Sequence, residues 1–267
     1  MKKYCHQIMI HRHVVPHAET LSLLSEHSFP RHSHDQFGIG IFMHGSQRSW
    51  SNLGNVEASV GDTIMVNPGE IHDGIPAWGL RGWHMLYVSP EIIAHELREC
   101  LPAGNLTLKP VVHDPVLSRT MGELFRELGT ANPDPLAIEE LMMVSLMHAS
   151  QFHVLSVAPR KVLSPLVTRA KQVMDDIPGE NVTLSELAAL CATSRFQLIR
   201  GFAREMGITP HAYLLQSRVR LAKKLLAQGD KTVDVALNAG FSDQSHLTHA
   251  FLRQTGVTPG QYRSSMR

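Results

Sequence analysis

The chain has 267 residues, 43% of them hydrophobic, with 25 Lys+Arg against 24 Asp+Glu. That is enough for one or two domains at the usual ~100–200 residues each, and no apolar run approaches the ~20 residues of a membrane span. The first residues, Met1 to His6, are not followed by an apolar stretch, so no secretory signal is expected, and three scattered cysteines (Cys5, Cys100, Cys191) fit a reducing cytoplasm better than a disulfide framework. The near-zero net charge conceals a division. Residues 160–267 hold 15 Lys+Arg against 8 Asp+Glu, whereas residues 1–159 hold 10 against 16. A basic half joined to an acidic half implies that only the C-terminal half meets a polyanion.

From Leu21 to Val88 short apolar or β-branched runs alternate with Gly, Pro, Asn and Ser. The runs Leu21–Leu24, Phe37–Met43, Val56–Val60, Thr63–Val66 and Trp83–Val88 predict strands, hence an all-β barrel or sandwich. Two His-bearing segments sit among them: His32-Ser33-His34, and Gly61 followed by Pro68-Gly69-Glu70-Ile71-His72. His32 and His34, two apart on an extended segment, point to one face, and His72 would join them from a neighbouring strand. Three converging imidazoles could bind a divalent metal, serve as hydrogen-bond partners in a small-molecule pocket, or be satisfied in the barrel wall. Trp50, Trp78 and Trp83 all belong to this half and would suit either an aromatic lining or a core.

Helical spacing takes over at Pro90–Glu99 and across Pro115–His153. Leu117, Met121, Leu124, Phe125 and Leu128 form one stripe. Leu136, Leu141, Met143, Val144, Leu146 and Met147 form a broader, Met-rich face. Pro159 and Pro165 flank Arg160-Lys161 in a stretch that reads as a linker, and Leu166–Ile177 predicts a further helix ended by Pro178-Gly179.

The C-terminal third is written twice. Residues 202–213 read FAREMGITPHAY and residues 251–262 read FLRQTGVTPGQY, so that at an offset of 49 Phe202, Arg204, Gly207, Thr209, Pro210 and Tyr213 recur as Phe251, Arg253, Gly256, Thr258, Pro259 and Tyr262. Each copy has the order helix, turn, helix. In the first, Thr183 with Glu186 predicts a capping box, Leu184, Leu187, Ala188 and Cys191 share a face, Ala192-Thr193-Ser194 turns, and a second helix runs from Arg195 to about Met206. Leu198 and Phe202 pack it, which leaves Arg195, Gln197, Arg200 and Arg204 outside. In the second, Thr232 is expected to cap, Gly240-Phe241-Ser242 to turn, and Asp243 to Gln254 to form the reader. There Leu247 and Phe251 pack, while Gln244, Ser245, His246, Thr248 and His249 point outward. Short helices with a free polar face enter DNA major grooves. Thr209-Pro210 opens a connecting helix that Gly229 ends. Its ~19 residues at ~1.5 Å each make a rod of ~28 Å, close to the ~34 Å between major-groove faces one turn apart.

These residues resemble the DNA-binding domain of the AraC/XylS family of bacterial transcription regulators. The resemblance rests on Leu184, Leu187-Ala188, Ser194, Leu198, Arg200, Phe202, Gly207, Pro210, Tyr213, Arg218, Ala222, Ala236, Gly240-Phe241, Gln244-Ser245, Phe251, Gly256, Thr258-Pro259 and Tyr262-Arg263. The chain departs from the family pattern at Ile199, at His249, where arginine is usual, and at Leu252, where lysine is common. The resemblance implies DNA contacts from Arg195, Phe196, Gln197, Arg200, Arg204, Gln244, Ser245, His246, Thr248 and His249. It also implies promoter DNA and RNA polymerase as partners, usually with activation, and a homodimer made through one of the helices after the strands.

The His segments resemble the two motifs of the cupin barrel, which this family commonly carries as its effector sensor. The effector would meet His32, His34, His72 and Trp50. A cupin enzyme would normally add a glutamate a few residues after the His pair, where this chain has Gly38 and Ile39. The expected fold is therefore α+β in two domains. Residues 1–155 form a cupin-like β-barrel with flanking helices, 156–164 a linker, and 165–267 an all-α domain with two helix-turn-helix motifs joined by a long helix. The expected function is a cytoplasmic regulator without cofactor, catalytic residue or assigned metal, answering to a small molecule. Two alternatives stay open: a metal-dependent cupin enzyme with a DNA-binding tail, using His32, His34 and His72, and a constitutive DNA-binding protein with a structural barrel.

Overall fold

The computed structural model describes residues 5–11, 18–96, 106–155 and 163–266. Most of the expected linker (156–162), Cys100 and the end of the helix expected to reach Glu99 lie outside the described residues. The chain forms two compact units, one built on strands and one on helices.

The strands are β1 (His6–Ile10), β2 (Ala18–Ser25), β3 (Phe29–His32), β4 (Phe37–His44), β5 (Ser46–Ser51), β6 (Gly54–Ser59), β7 (Thr63–Val66), β8 (His72–Pro76), β9 (Arg81–Val88) and β10 (Val111–Val112), all in the first unit except β3, which groups with the second. They form a six-stranded sheet in the order β1-β2-β9-β4-β7-β10 and a four-stranded sheet in the order β3-β8-β5-β6. All five expected runs are strands. Those unforeseen, β1, β3, β5, β8 and β10, are polar, short or proline-bearing, which weakens the pattern by which strands are read.

Three helices follow the strands: α1 (Pro90–Glu96), α2 (Pro115–Leu128) and α3 (Pro135–Phe152). The last two begin alike. Asp114 caps α2 by accepting from the N–H groups of Val116 and Leu117, Asp134 caps α3 by accepting from Leu136, and each is followed by proline in the first turn. The expected stripe Leu117, Met121, Leu124, Phe125 and Leu128 is buried.

The pleat of β4 decides where the apolar core lies. Phe37, Ile39 and Ile41 face one way and pack with Met65, Leu86, Val88 and the buried stripes of α2 and α3. Gly38, Gly40 and Phe42 face the other way, into the barrel. The main core is therefore a layer between the six-stranded sheet and the helices, at roughly 1.5–3 kcal/mol for each large side chain fully buried. The barrel interior is left to a different set of residues.

The helical unit contains α4 (Pro165–Asp176), α5 (Leu184–Leu190), α6 (Arg195–Met206), α7 (Pro210–Ala227), α8 (Thr232–Asn238), α9 (Gln244–Thr255) and α10 (Pro259–Ser265). Thr183 and Glu186 form the expected capping box. Thr209 caps α7, and at its end Gly229 has φ +94°. One expectation fails. The N-cap of α8 is Lys231, with no side-chain cap bond, and Thr232 is already helical, so the second copy starts its first helix less firmly than the first copy does. Gly240 (φ +78°) and Gly179 interlock. A Cβ on Gly240 would lie 2.5 Å from the Gly179 carbonyl oxygen, and one on Gly179 would lie 2.6 Å from that of Asn238. Arg218 holds the same corner by donating to the carbonyls of Pro178 and Glu180.

Candidate nucleic-acid interface and effector site

The two reader helices are built by the same devices. Ser194 accepts from the Gln197 N–H and the Gln197 amide oxygen accepts in return, closing a capping box on α6, while Asp243 accepts from the His246 N–H on α9. Both helices end on a left-handed glycine, Gly207 at φ +78° and Gly256 at φ +80°. Leu198, Phe202 and Met206 are buried on α6, and Leu247, Ala250 and Phe251 on α9. The opposite faces are open: Arg195, Phe196, Gln197, Arg200 and Arg204 on the first, Gln244, Ser245, His246 and His249 on the second. Phe196 is 70% exposed, unusual for so large an apolar ring.

Some of these polar groups already have work within the helix. The Gln197 amide oxygen serves the cap, and the Thr248 hydroxyl donates back to the Gln244 carbonyl. Arg204 lies 3.1 Å from Glu205. Arg195, Arg200, Gln244, Ser245 and His249 stand exposed on these faces. Sequence reading assigned no role to Arg253, which is exposed in the last turn of α9 and stands 49 positions after Arg204. The repeat register is the signal that finds it.

In the strand unit the rings of His34 and His72 face one another, while His32, at the end of β3, groups with the helical unit. His32 Nδ1 is 2.7 Å from the Pro30 carbonyl and His72 Nδ1 is 3.1 Å from that of Glu70. A ring N–H donated to a carbonyl fixes the tautomer. Burial lowers the His72 pKa to about 4, so the ring is neutral at physiological pH. The His34 ring lies 5.3 Å from that of His72 and 4.8 Å from that of Tyr87, whose hydroxyl burial pushes above its ordinary range.

Trp50 does not join them. Ser51 is the cross-strand partner of His72, so the alternation of β5 puts Trp50 on the opposite face of the sheet. The inward positions are instead Gln47, Ser49 and Ser51. Gln47 accepts from Nε of Arg81 at 2.7 Å; Arg81 is fully buried, donates also to the Gly74 carbonyl, and lies 4.7 Å over the Trp83 ring. Sequence reading passed over Gln47, Arg81 and Tyr87, because which face of a strand turns inward depends on a register that polar strands do not announce. A metal-ligating glutamate has no place on β4. At Gly38 a Cβ would lie 2.6 Å from Val66 Cγ2 and 3.0 Å from Tyr87 Cε1, and Ile39 belongs to the helix-facing core.

Residues 24–146 match the family model of the AraC-like ligand binding domain, and residues 187–265 that of a helix-turn-helix domain. An HTH-type transcriptional regulator of Bacillus subtilis, YbfI, itself uncharacterised, is 33% identical over 226 residues, 82% of this chain and 81% of that one. This chain belongs to the AraC family of transcription regulators. It couples a ligand-binding domain to a helix-turn-helix DNA-binding domain. The virulence regulon transcriptional activator VirF of Yersinia enterocolitica is 30% identical over 167 residues, 60% of this chain and 61% of that one. Among solved structures, ToxT of Vibrio cholerae aligns over 100% of this chain and 99% of its own with a TM-score of 0.56; at 12% identity the likeness concerns the fold. One crystal of ToxT holds an unsaturated fatty acid. No helix among the described residues is long and apolar enough to cross a membrane.

Proposed function

We propose that this AraC-family protein is a cytoplasmic, sequence-specific promoter-binding activator whose affinity or activity is set by a small organic effector held inside the barrel. The observation that carries the DNA half is the exposed polar face on both α6 and α9, repeated at a fixed offset in a basic unit. Arg200 and Arg195 would supply guanine or phosphate contacts in one major groove, and Gln244, Ser245 and His249 in the next. In the barrel, His34, His72 and Tyr87 would meet the polar groups of the effector. The neutral imidazole of His72, the ring of His34 and the phenol of Tyr87 suit a ligand with mixed donors and acceptors. The VirF name supports activation, and the fatty acid in ToxT supports a barrel of this kind as the ligand site.

A homodimer, formed through an exposed face of α3 that includes Val144 and Met147, and contact with RNA polymerase complete the proposal; no catalytic step is assigned to it. The test is transcription in vitro from a promoter the protein occupies, with and without a small-molecule extract of its own cells. Extract-dependent transcription is expected. Transcription indifferent to the extract would leave the barrel a structural platform, and occupancy without transcription would remove the polymerase contact.

A further inference from the structure

A second cluster of ligating side chains lies away from the barrel histidines, where the start of α2 meets the end of α3. Asp114 Oδ2 is 2.7 Å from Nε2 of His148 and 2.6 Å from Nε2 of His153. One potential ligand atom from each of the three lies within 4.8 Å of the others. The carboxylate is shared out in an orderly way: Oδ1 accepts from the backbone N–H groups of Val116 and Leu117, while Oδ2 faces the two rings. Burial by itself would raise the Asp114 pKa, but the hydrogen bonds from His148, Leu117, His153 and Val116 outweigh it and hold the carboxyl well below its ordinary range.

We propose that Asp114, His148 and His153 form a binding site for a divalent transition metal of the zinc type. Two imidazoles and a carboxylate make a three-ligand set, which for zinc leaves a fourth position for water. Two nitrogen ligands favour zinc, cobalt or nickel over magnesium and calcium, which take oxygen donors. The side chains are 15%, 20% and 12% exposed respectively, so an ion can reach the site and be held within it.

The geometry needs only a small expansion. Around a tetrahedral zinc with bonds of ~2.0–2.1 Å, neighbouring ligand atoms stand ~3.3 Å apart, so each nitrogen–oxygen contact opens by ~0.6–0.7 Å. The rings are already splayed, their centroids 5.8 Å apart at 52°. A ring that ligates through Nε2 gives up the proton it now shares with Asp114, which either moves to Nδ1 of that ring or is released to solvent. The backbone donors on Oδ1 act as the outer support that orients a ligating carboxylate. Bound there, the ion ties the last turn of α3 and its cap to the first turn of α2, beside the bridge between Leu108 and Val154.

The experiment uses the full chain, stripped of metal and titrated with cobalt(II), then with zinc as competitor. The d–d absorption of protein-bound cobalt and the unfolding midpoint with and without zinc are the two readouts. The proposal expects one ion per chain, a raised midpoint, and zinc binding at least tenfold weaker in His153→Gln, whose amide still donates to Asp114 but is a poor ligand. His148→Gln gives the same reading independently should His153→Gln not fold. His72→Gln separates this site from the barrel histidines and should keep the cobalt spectrum. No cobalt band in the unaltered chain, a band that survives both His153→Gln and His148→Gln, or a band lost in His72→Gln each overturns the proposal.

Discussion

The rings of Phe202 and Tyr213 meet edge-to-face, centroids 5.5 Å apart at 65°. Forty-nine residues later Phe251 and Tyr262 repeat the contact at 5.5 Å and 62°. In each copy a reader helix is pinned to the helix that follows it by one aromatic pair, across a left-handed glycine and a Thr-Pro start. Phe202 and Phe251 are fully buried. Phe202→Ala should therefore destabilise the helical unit by ~3–5 kcal/mol, read as a lowered urea midpoint. Phe196→Ala on the same helix should stay within ~0.5 kcal/mol of the parent while weakening promoter binding.

Arg200 stands exposed in the middle of the first reader. If it reads a base, Arg200→Ala lowers affinity for the promoter by ~1–3 kcal/mol and relaxes specificity at one position. If it meets phosphate, affinity falls alike on all sequences and the salt slope shrinks by ~1. Fluorescence anisotropy on promoter and scrambled duplexes at several salt concentrations separates the two. Unchanged binding on both duplexes removes Arg200 from the interface.

Two histidines, His72 on β8 and His84, which stacks on Phe125 of α2, give stability a pH dependence whose sign is fixed. Burial lowers His72 and His84 from 6.5 to about 4, His84 also through His11. Between those values the unfolded chain binds more protons than the folded one, so stability rises with pH. The contribution is complete above about 6.5 and is lost as the pH falls toward 4. Urea unfolding of the full chain across this range should show it, with a shallower slope in His84→Gln.

Gly38 makes room on the inner face of the barrel. Gly38→Ala brings a Cβ to 2.6 Å from Val66 and 2.9 Å from Met85. Overpacking of this kind costs ~1–3 kcal/mol. The unfolding midpoint should drop, and transcription should lose its dependence on cell extract while promoter binding persists.

The helical unit was legible in the sequence nearly residue by residue, because its signals are local. Ser194, Thr209, Gly207 and Gly256 each dictate a helix end through their own backbone chemistry, and the repeat doubles every signal. Lys231 shows the limit, for a helix packed through Val235 and Ala236 needs no side-chain cap to announce its start. The barrel was legible only where strands are apolar. Which face of β5 turns inward depends on its pairing with β8, so Trp50 looked like a pocket residue and Gln47 did not. The cluster of Asp114, His148 and His153 joins residues up to 39 positions apart, and only the antiparallel return of α3 along α2 brings them together.

The central claim is that α6 and α9 read one duplex in successive major grooves. Genome-wide occupancy of the tagged protein in its own cells tests it most directly. The account predicts discrete peaks that share two half-sites about one helical turn apart, ~10–10.5 base pairs. Salt-sensitive occupancy spread evenly over the genome, with no shared motif, would contradict it.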